Sequence, residues 1–482
     1  MITKQPLVLR LFRGAVSTYV MVVTLVLYAY TRDAAGEIKW LVLYGFGAVL
    51  GIGWLLAAGW FSLPLRRPRY LCEILLLFTG WMILASLCSD YRWFSLVESG
   101  RFLFLFMLYW IVFQVYETPE QIDSLLKSIC TAVGIAAIYA AIQATGYDPF
   151  PWLDRTNDIY KLLPGPFGNP NYAAHVLVIA LIIAVYLLRN RWFWALPLVA
   201  AFASWLWYTE QRGGLVALAA ATGLLITAWI VRLFIRKAHW AAVTSMLLAL
   251  FLAFGGALGL MAVLKARTGS AFPLDASILL RYQALVSTSG MIMERPLLGV
   301  GPRAFRMENS RHWTPYEQEY FTREMQMNYH PHNEPLEIAA DGGLPAAGFY
   351  MALYILGIGM ALTLAFSGKN AAHRRMGWML AALFTAFFVD GLFGFNAHLP
   401  VSVSLLFIAF GILECYGAFE HGEAFLPWSS LWIWGRWPAI AGLLFFAFVG
   451  SSAFAGQYYL HQGIGAMAAG NNGLAHYYWQ TG

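Results

Sequence analysis

The sequence predicts an all-α polytopic membrane protein with about 12–13 transmembrane helices. Three observations predict it. Apolar residues fill 60% of the 482 positions and charged residues only 12%, against roughly half and a quarter in soluble domains. The mean hydropathy is +0.61. The apolar residues also gather into runs long enough to cross a bilayer, which takes about 20 residues. A soluble chain of this length would need several domains and far more surface charge. Four scattered cysteines, Cys72, Cys88, Cys130 and Cys415, exclude a disulfide scaffold and a zinc ribbon. The chain has no basic stripe on a soluble face, so the expected partner is the lipid bilayer and not nucleic acid.

Thirteen apolar stretches are expected to span, near 12–30, 40–63, 70–88, 95–116, 124–146, 171–188, 191–208, 213–232, 240–264, 343–366, 375–392, 397–417 and 437–456. Lys4, Arg10 and Arg13 lead straight into the first with no small-residue cleavage site, so it is expected to remain as an anchor. The chain then divides into helices 1–9 over 1–264, a large loop over 265–342, helices 10–13 over 343–456, and a tail over 457–482. The tail is rich in small residues and reads as the opening of a helical-repeat, TPR-like domain.

Lys and Arg in short loops set orientation. With the N-terminus cytoplasmic, sixteen fall inside and six outside, so the large loop faces outward. The inside connections near 117–127 and 414–430 carry more acid than base, and losing one span there would return the tail to the cytoplasm.

Three outward clusters hold polar residues that an apolar chain must have a reason to keep. The first is Gly165-Pro-Phe-Gly-Asn-Pro-Asn171, a shaped turn before a helix, with Asn169 placed as N-cap. It is either a plain helix entry or a cradle of N–H groups and amides for an anion or sugar. The second is Gln211-Arg212-Gly213-Gly214, where Arg212 either snorkels at the interface or grips a ligand. The third is the large loop. It carries Arg281, Glu294-Arg-Pro-Leu-Leu-Gly-Val-Gly-Pro302, Arg303, Arg306, and His330-Pro-His332-Asn333-Glu-Pro-Leu-Glu337 before Asp341-Gly-Gly343. A loop this long is usually functional. The histidines read as solvated or capping groups, as a base, or as a metal pair, though no third ligand stands at a telling spacing. Glu98 and Arg101, one turn apart, either pair with each other or meet a lipid phosphate.

These clusters, in this order, resemble the O-antigen ligase/polymerase superfamily of bacterial envelope glycosyltransferases, with HPHNEPLEIAADGGLPAAG at 330–348 the most specific match. The resemblance implies a GT-C-like helical bundle in the cytoplasmic membrane, with one large periplasmic loop over the site. It implies transfer of a glycan from undecaprenyl diphosphate to a hydroxyl of lipid A-core, glycan or protein, inverting the anomeric centre, with no cofactor and no metal. The family's diphosphate-binding arginines fall on Arg212 and Arg281, and its loop histidine on His332 as catalytic base. Supporting positions are His330, Asn333, Arg303, Arg306, Asn169, Asn171 and Arg101.

Ligase, polymerase and protein O-oligosaccharyltransferase share these motifs, because only the acceptor differs. A polysaccharide or lipid-linked-sugar transporter or flippase is the reading of another class. It would show internal symmetry and ionisable residues at the midplane, and the sequence has neither.

Overall fold

The computed structural model describes residues 5–31, 33–152, 162–252, 276–324, 328–426 and 430–481. No β-strand forms among them. The helices are α1 (Gln5–Leu25), α2 (Gly36–Trp60), α3 (Cys72–Cys88), α4 (Arg92–Val115), α5 (Pro119–Ala144), α6 (Pro170–Tyr208), α7 (Arg212–Phe234), α8 (Ala238–Leu252), α9 (Ala276–Glu294), α10 (Phe305–Glu308), α11 (Pro315–Glu324), α12 (Glu334–Ser367), α13 (Ala371–Gly391), α14 (Pro400–His421), α15 (Ser430–Ala468) and α16 (Asn472–Thr481). Nine helices among the described residues are long and apolar enough to cross a membrane. The chain is a multi-pass, all-α membrane protein.

Each expected span meets a helix, and α6 covers two. A straight helix over Pro170–Tyr208 would be about 58 Å long. Yet the Trp205 indole N–H donates to the Leu163 carbonyl at 2.7 Å, and Trp205 stacks on Phe167 at 5.9 Å. The chain therefore doubles back, with limbs Pro170–Arg189 and Trp192–Tyr208. The turn falls where the sequence places a basic inside connection. Of the ninth span, 253–264 lies outside the described residues, as do 265–275 of the large loop.

The residues form two compact units. Unit 1 comprises Met1–Cys72, Leu96–Arg212 and Asn396–Gly482. Its centre is α14, buried along its length because it is apolar all round. Its buried acid, Glu414, is 1% exposed and fully engaged. Its carboxylate accepts the N–H groups of Arg69, Tyr70 and Leu71 at 2.7–3.0 Å and the Tyr109 hydroxyl at 3.2 Å. Arg66 is likewise buried. It donates to the carbonyls of Phe113 and Tyr116 and pairs with Glu423 at 3.1 Å. Helix α15 packs along α2, where Tyr44 leaves no room for a Cβ at Gly450. It runs on into the tail, and α16 folds back onto it, with Trp479 against Gly463.

Unit 2 comprises Glu73–Ser95 and Gly213–Phe395. Helices α12 and α13 form a tight hairpin. A Cβ on Gly377 would stand 2.3 Å from the Ala365 nitrogen, so the two backbones nearly touch. Asn370 caps α13 through the His373 N–H. Helix α9 packs on α12, and between them Met291, Ile292, Val300, Ala304, Phe305, Ala339 and Ala340 form a small core.

Candidate active site

The three polar clusters divide between the units. Asn169, Asn171, Arg101 and Arg212 belong to unit 1. Arg281, Arg303, Arg306, His330, His332 and Asn333 belong to unit 2.

In unit 1 the 165–171 segment is built as a helix entry. Asn169 Oδ1 accepts the Asn171 N–H at 2.8 Å, the expected cap. Gly165 and Gly168 have φ of +58° and +73°, which L side chains rarely adopt. A Cβ at Gly165 would also strike Trp205 at 2.5 Å. The Gly165 N–H already donates to Gln143. These glycines therefore serve packing. Arg101 pairs with Glu98 at 2.5 Å, both buried, and its guanidinium lies 4.0 Å from the Trp40 ring centroid. Of the two expectations for Arg101, the structure realises the pair. Arg212 opens α7 after a turn in which Glu210 takes φ +55°. Its side chain is exposed and has no polar partner among the described residues.

In unit 2 the two longest motifs interlock. Gly343 breaks α12 with φ +76° and ψ 178°. The break and Pro345, which has no N–H, strip the carbonyls before them of their helical donors. Outside groups replace those donors. The Val300 N–H reaches the Ala340 carbonyl and the Gly301 N–H reaches that of Asp341, both at 2.9 Å. The Trp81 indole reaches Gly342 at 2.8 Å. The Leu344 N–H turns to the Pro296 carbonyl at 2.8 Å. The Asp341 carboxylate accepts the N–H groups of Arg303 and Phe305 at 2.7 and 3.2 Å. At Gly299 a Cβ would stand 2.4 Å from the Ala340 oxygen, and at Gly301 2.3 Å from Ser89 Oγ. The paired Gly-Val-Gly and Asp-Gly-Gly-Leu-Pro motifs are therefore one backbone joint.

That joint positions the histidines. Asn333 caps α12, accepting the Leu336 N–H at 3.2 Å and donating to the Leu392 carbonyl at 3.3 Å. His330 Nδ1 lies 2.7 Å from the buried Glu337 carboxylate. The His330 ring stacks on Phe395 at 4.1 Å and 9°, and His332 meets the same ring edge-on at 5.3 Å and 66°. His332 holds φ +54° and Arg303 +63°, strained for side chains with a Cβ. Phe94 gathers two arginines, the Arg303 and Arg306 guanidinia lying 5.5 and 4.2 Å from its centroid. Arg281 stands exposed on α9, its side chain without a polar partner among the described residues.

Sequence reasoning passed over Phe395 and Phe94, which bring these side chains together. An aromatic residue in an aromatic-rich membrane protein gives no local signal of that role. Glu337 lies in the same sequence motif as the histidines. Its seven-residue spacing from His330 becomes a contact because the chain turns at Asn333.

Arranged so, unit 2 offers a half-buried imidazole pair with one carboxylate partner and an exposed guanidinium on a packed helix. Such a set can take a proton from a hydroxyl and hold an anion. No match to a curated protein was found. Residues 197–351 match the family model described as O-antigen ligase, a span that includes Arg212, Arg281 and the whole joint with its histidines. Over residues 197–351 the chain is therefore similar to O-antigen ligases, which supports the O-antigen ligase/polymerase reading of its motifs.

Proposed function

We propose that the protein transfers a glycan from undecaprenyl diphosphate to an acceptor hydroxyl at the outer face of the bacterial cytoplasmic membrane, as an O-antigen ligase does. The observation that carries this is the family match, which spans both exposed arginines and the histidine pair. In the reaction the acceptor oxygen attacks the anomeric carbon as its proton passes to His332. The bond from that carbon to the diphosphate oxygen breaks, and undecaprenyl diphosphate leaves. A single displacement inverts the centre.

The residues suit these roles. Arginine is permanently charged and forked, so it grips phosphate oxygens in pairs. Arg212 and Arg281 are exposed and have no acid to neutralise them among the described residues. They would take up the charge that develops on the leaving group. A histidine with a pKa of about 6.5 is matched to proton transfer near neutral pH. His330, held by Glu337 and sharing Phe395 with His332, positions the base. A second reading, transfer to a protein or polymer acceptor, is favoured by the α15–α16 hairpin, since helical repeats bind extended chains.

The test supplies purified protein with a synthetic undecaprenyl-diphosphate sugar and an acceptor. Release of undecaprenyl diphosphate with product growth is expected, and its loss in His332→Ala with the fold retained. Sugar crossing liposomes without bond cleavage would make the protein a transporter. Glycan profiling of lipopolysaccharide, capsule and exported glycoproteins after gene deletion identifies the acceptor.

A further inference from the structure

Helix α11 lies outside the site described above and is built around a buried acid. Glu317 is 0% exposed. One of its oxygens accepts the Thr314 N–H and hydroxyl at 3.0 and 3.2 Å, and the other accepts the Ser287 hydroxyl at 3.2 Å. Thr314 and Glu317 thus cap the helix, and Ser287 ties it to α9.

What this mount holds in place is aromatic. Tyr316 and Tyr320, four residues apart and so on one helix face, have ring planes within 18° at 6.5 Å. Phe321 meets Tyr320 edge-on at 5.4 Å, and Trp313 meets Phe321 at 5.0 Å. All four are half-buried, so each ring keeps some contact with solvent. Gln318, Glu319 and Arg323 around them are exposed, and Arg323 lies 5.7 Å from the Tyr320 centroid. Nearly parallel rings with a polar surround do not resemble a protein-docking patch, which would be more apolar at its centre. They suit a ligand with flat C–H faces and a rim of hydroxyls, which is a pyranose chain. The C–H faces lie on the electron-rich ring faces, and the hydroxyls meet the amide, carboxylate and guanidinium.

We propose that α11 is a platform for the glycan of the lipid-linked donor, contacting sugars beyond the one transferred. This rests on the glycan-transfer reading above. The choice of donor over acceptor follows from the mount, because α9 carries both Ser287, which ties down α11, and Arg281, the proposed diphosphate ligand.

The test measures binding apart from transfer. The full chain in detergent is titrated with lipid-free oligosaccharide of several repeats, cut by mild acid from the lipid-linked donor of cells that make the protein. Wild type is expected to bind it, and the Tyr316→Ala/Tyr320→Ala variant about tenfold more weakly. Tyr316→Phe/Tyr320→Phe, which keeps the rings, and His332→Ala, which removes the proposed base, should bind as wild type does. Kinetically, the alanine pair should raise KM for a donor of several repeats and leave kcat and the KM of a single-sugar donor unchanged. Equal affinity of wild type and the alanine pair overturns the platform, as does failure of wild type to bind, or equal losses in the phenylalanine pair or His332→Ala. If ring-dependent binding appears without any transfer, the platform stands and the transferase reading fails.

Discussion

The Glu337 carboxylate holds His330 Nδ1 at 2.7 Å from the first turn of α12, and both side chains are set back from solvent, Glu337 almost completely. A carboxylate on Nδ1 fixes the tautomer and orientation of an imidazole. Glu337→Gln keeps the shape and removes the charge, a loss of about 2 kcal/mol in a charge-assisted bond. The transfer rate should fall roughly thirtyfold with little change in KM for the donor. Steady-state kinetics on the purified variant check this, and an unchanged rate would leave the pair with no part in the reaction.

Arg212 and Arg281 are exposed and lack polar partners among the described residues, so replacing either should leave stability intact. Lysine keeps the charge but loses the fork. Arg212→Lys and Arg281→Lys should each lower transfer by about tenfold or more, with thermal midpoints near wild type. Activity assays paired with thermal unfolding in detergent separate the two effects.

Arg101 and Glu98 make the opposite case. Both are buried, at 4% and 3% side-chain exposure. Removing one partner strands the other charge, at a cost of about 3–5 kcal/mol. Glu98→Leu alone should therefore destabilise strongly, while Glu98→Leu with Arg101→Leu recovers most of the loss. Unfolding midpoints of the two singles and the double provide the cycle.

At the joint, a Cβ on Gly343 would stand 2.1 Å from the Leu297 oxygen, and one on Gly299 2.4 Å from that of Ala340. Both glycines also have positive φ. Gly343→Ala and Gly299→Ala should each cost about 2–3 kcal/mol or more. Because they disrupt one contact, the double variant should lose less than the sum. Thermal or denaturant unfolding of the three variants reads this directly.

Asp148 gives a pH signature outside the membrane. Burial pushes its carboxyl up, but the Tyr139 hydroxyl, the Phe150 N–H, Gln143 and Trp152 all bond its charged form and outweigh burial, leaving it below the ordinary value. A carboxyl depressed on folding stabilises above its unfolded value of about 3.9. That contribution fades as the pH falls through the folded value. Asp148→Asn should therefore be less stable than wild type at neutral pH, and the gap should close on acidification. A gap independent of pH between 3 and 7 would contradict it.

The apolar runs made the helices legible, and the polar side chain at Asn169 made one helix start legible as well, whereas the start of α12 at Asn333 falls inside what the sequence reads as loop. Even the α6 turn follows from two arginines between apolar stretches. The Glu98–Arg101 contact was visible as one-turn spacing. The site was legible as a set of residue types but not as an arrangement. The glycines of 299–301 and 342–343 stand in the motifs without a role readable from sequence, and Gly299 and Gly343 prove to be where two backbones touch. That cannot be seen locally, because each motif supplies what the other lacks, donors on one side and stripped carbonyls on the other. Phe395 and Phe94 escaped for a related reason, since a ring's neighbours are set by chain segments far away in sequence.

The joint between Gly301 and Asp341 also closes a circle in the chain. Everything from Pro302 to Ala340, including α11 and the histidines, lies on a loop whose two ends are already tied together. The entropy of bringing those ends together is spent when the joint forms. Substrate need not supply it on binding. A single backbone cut within the loop would leave both new ends tethered to the same knot.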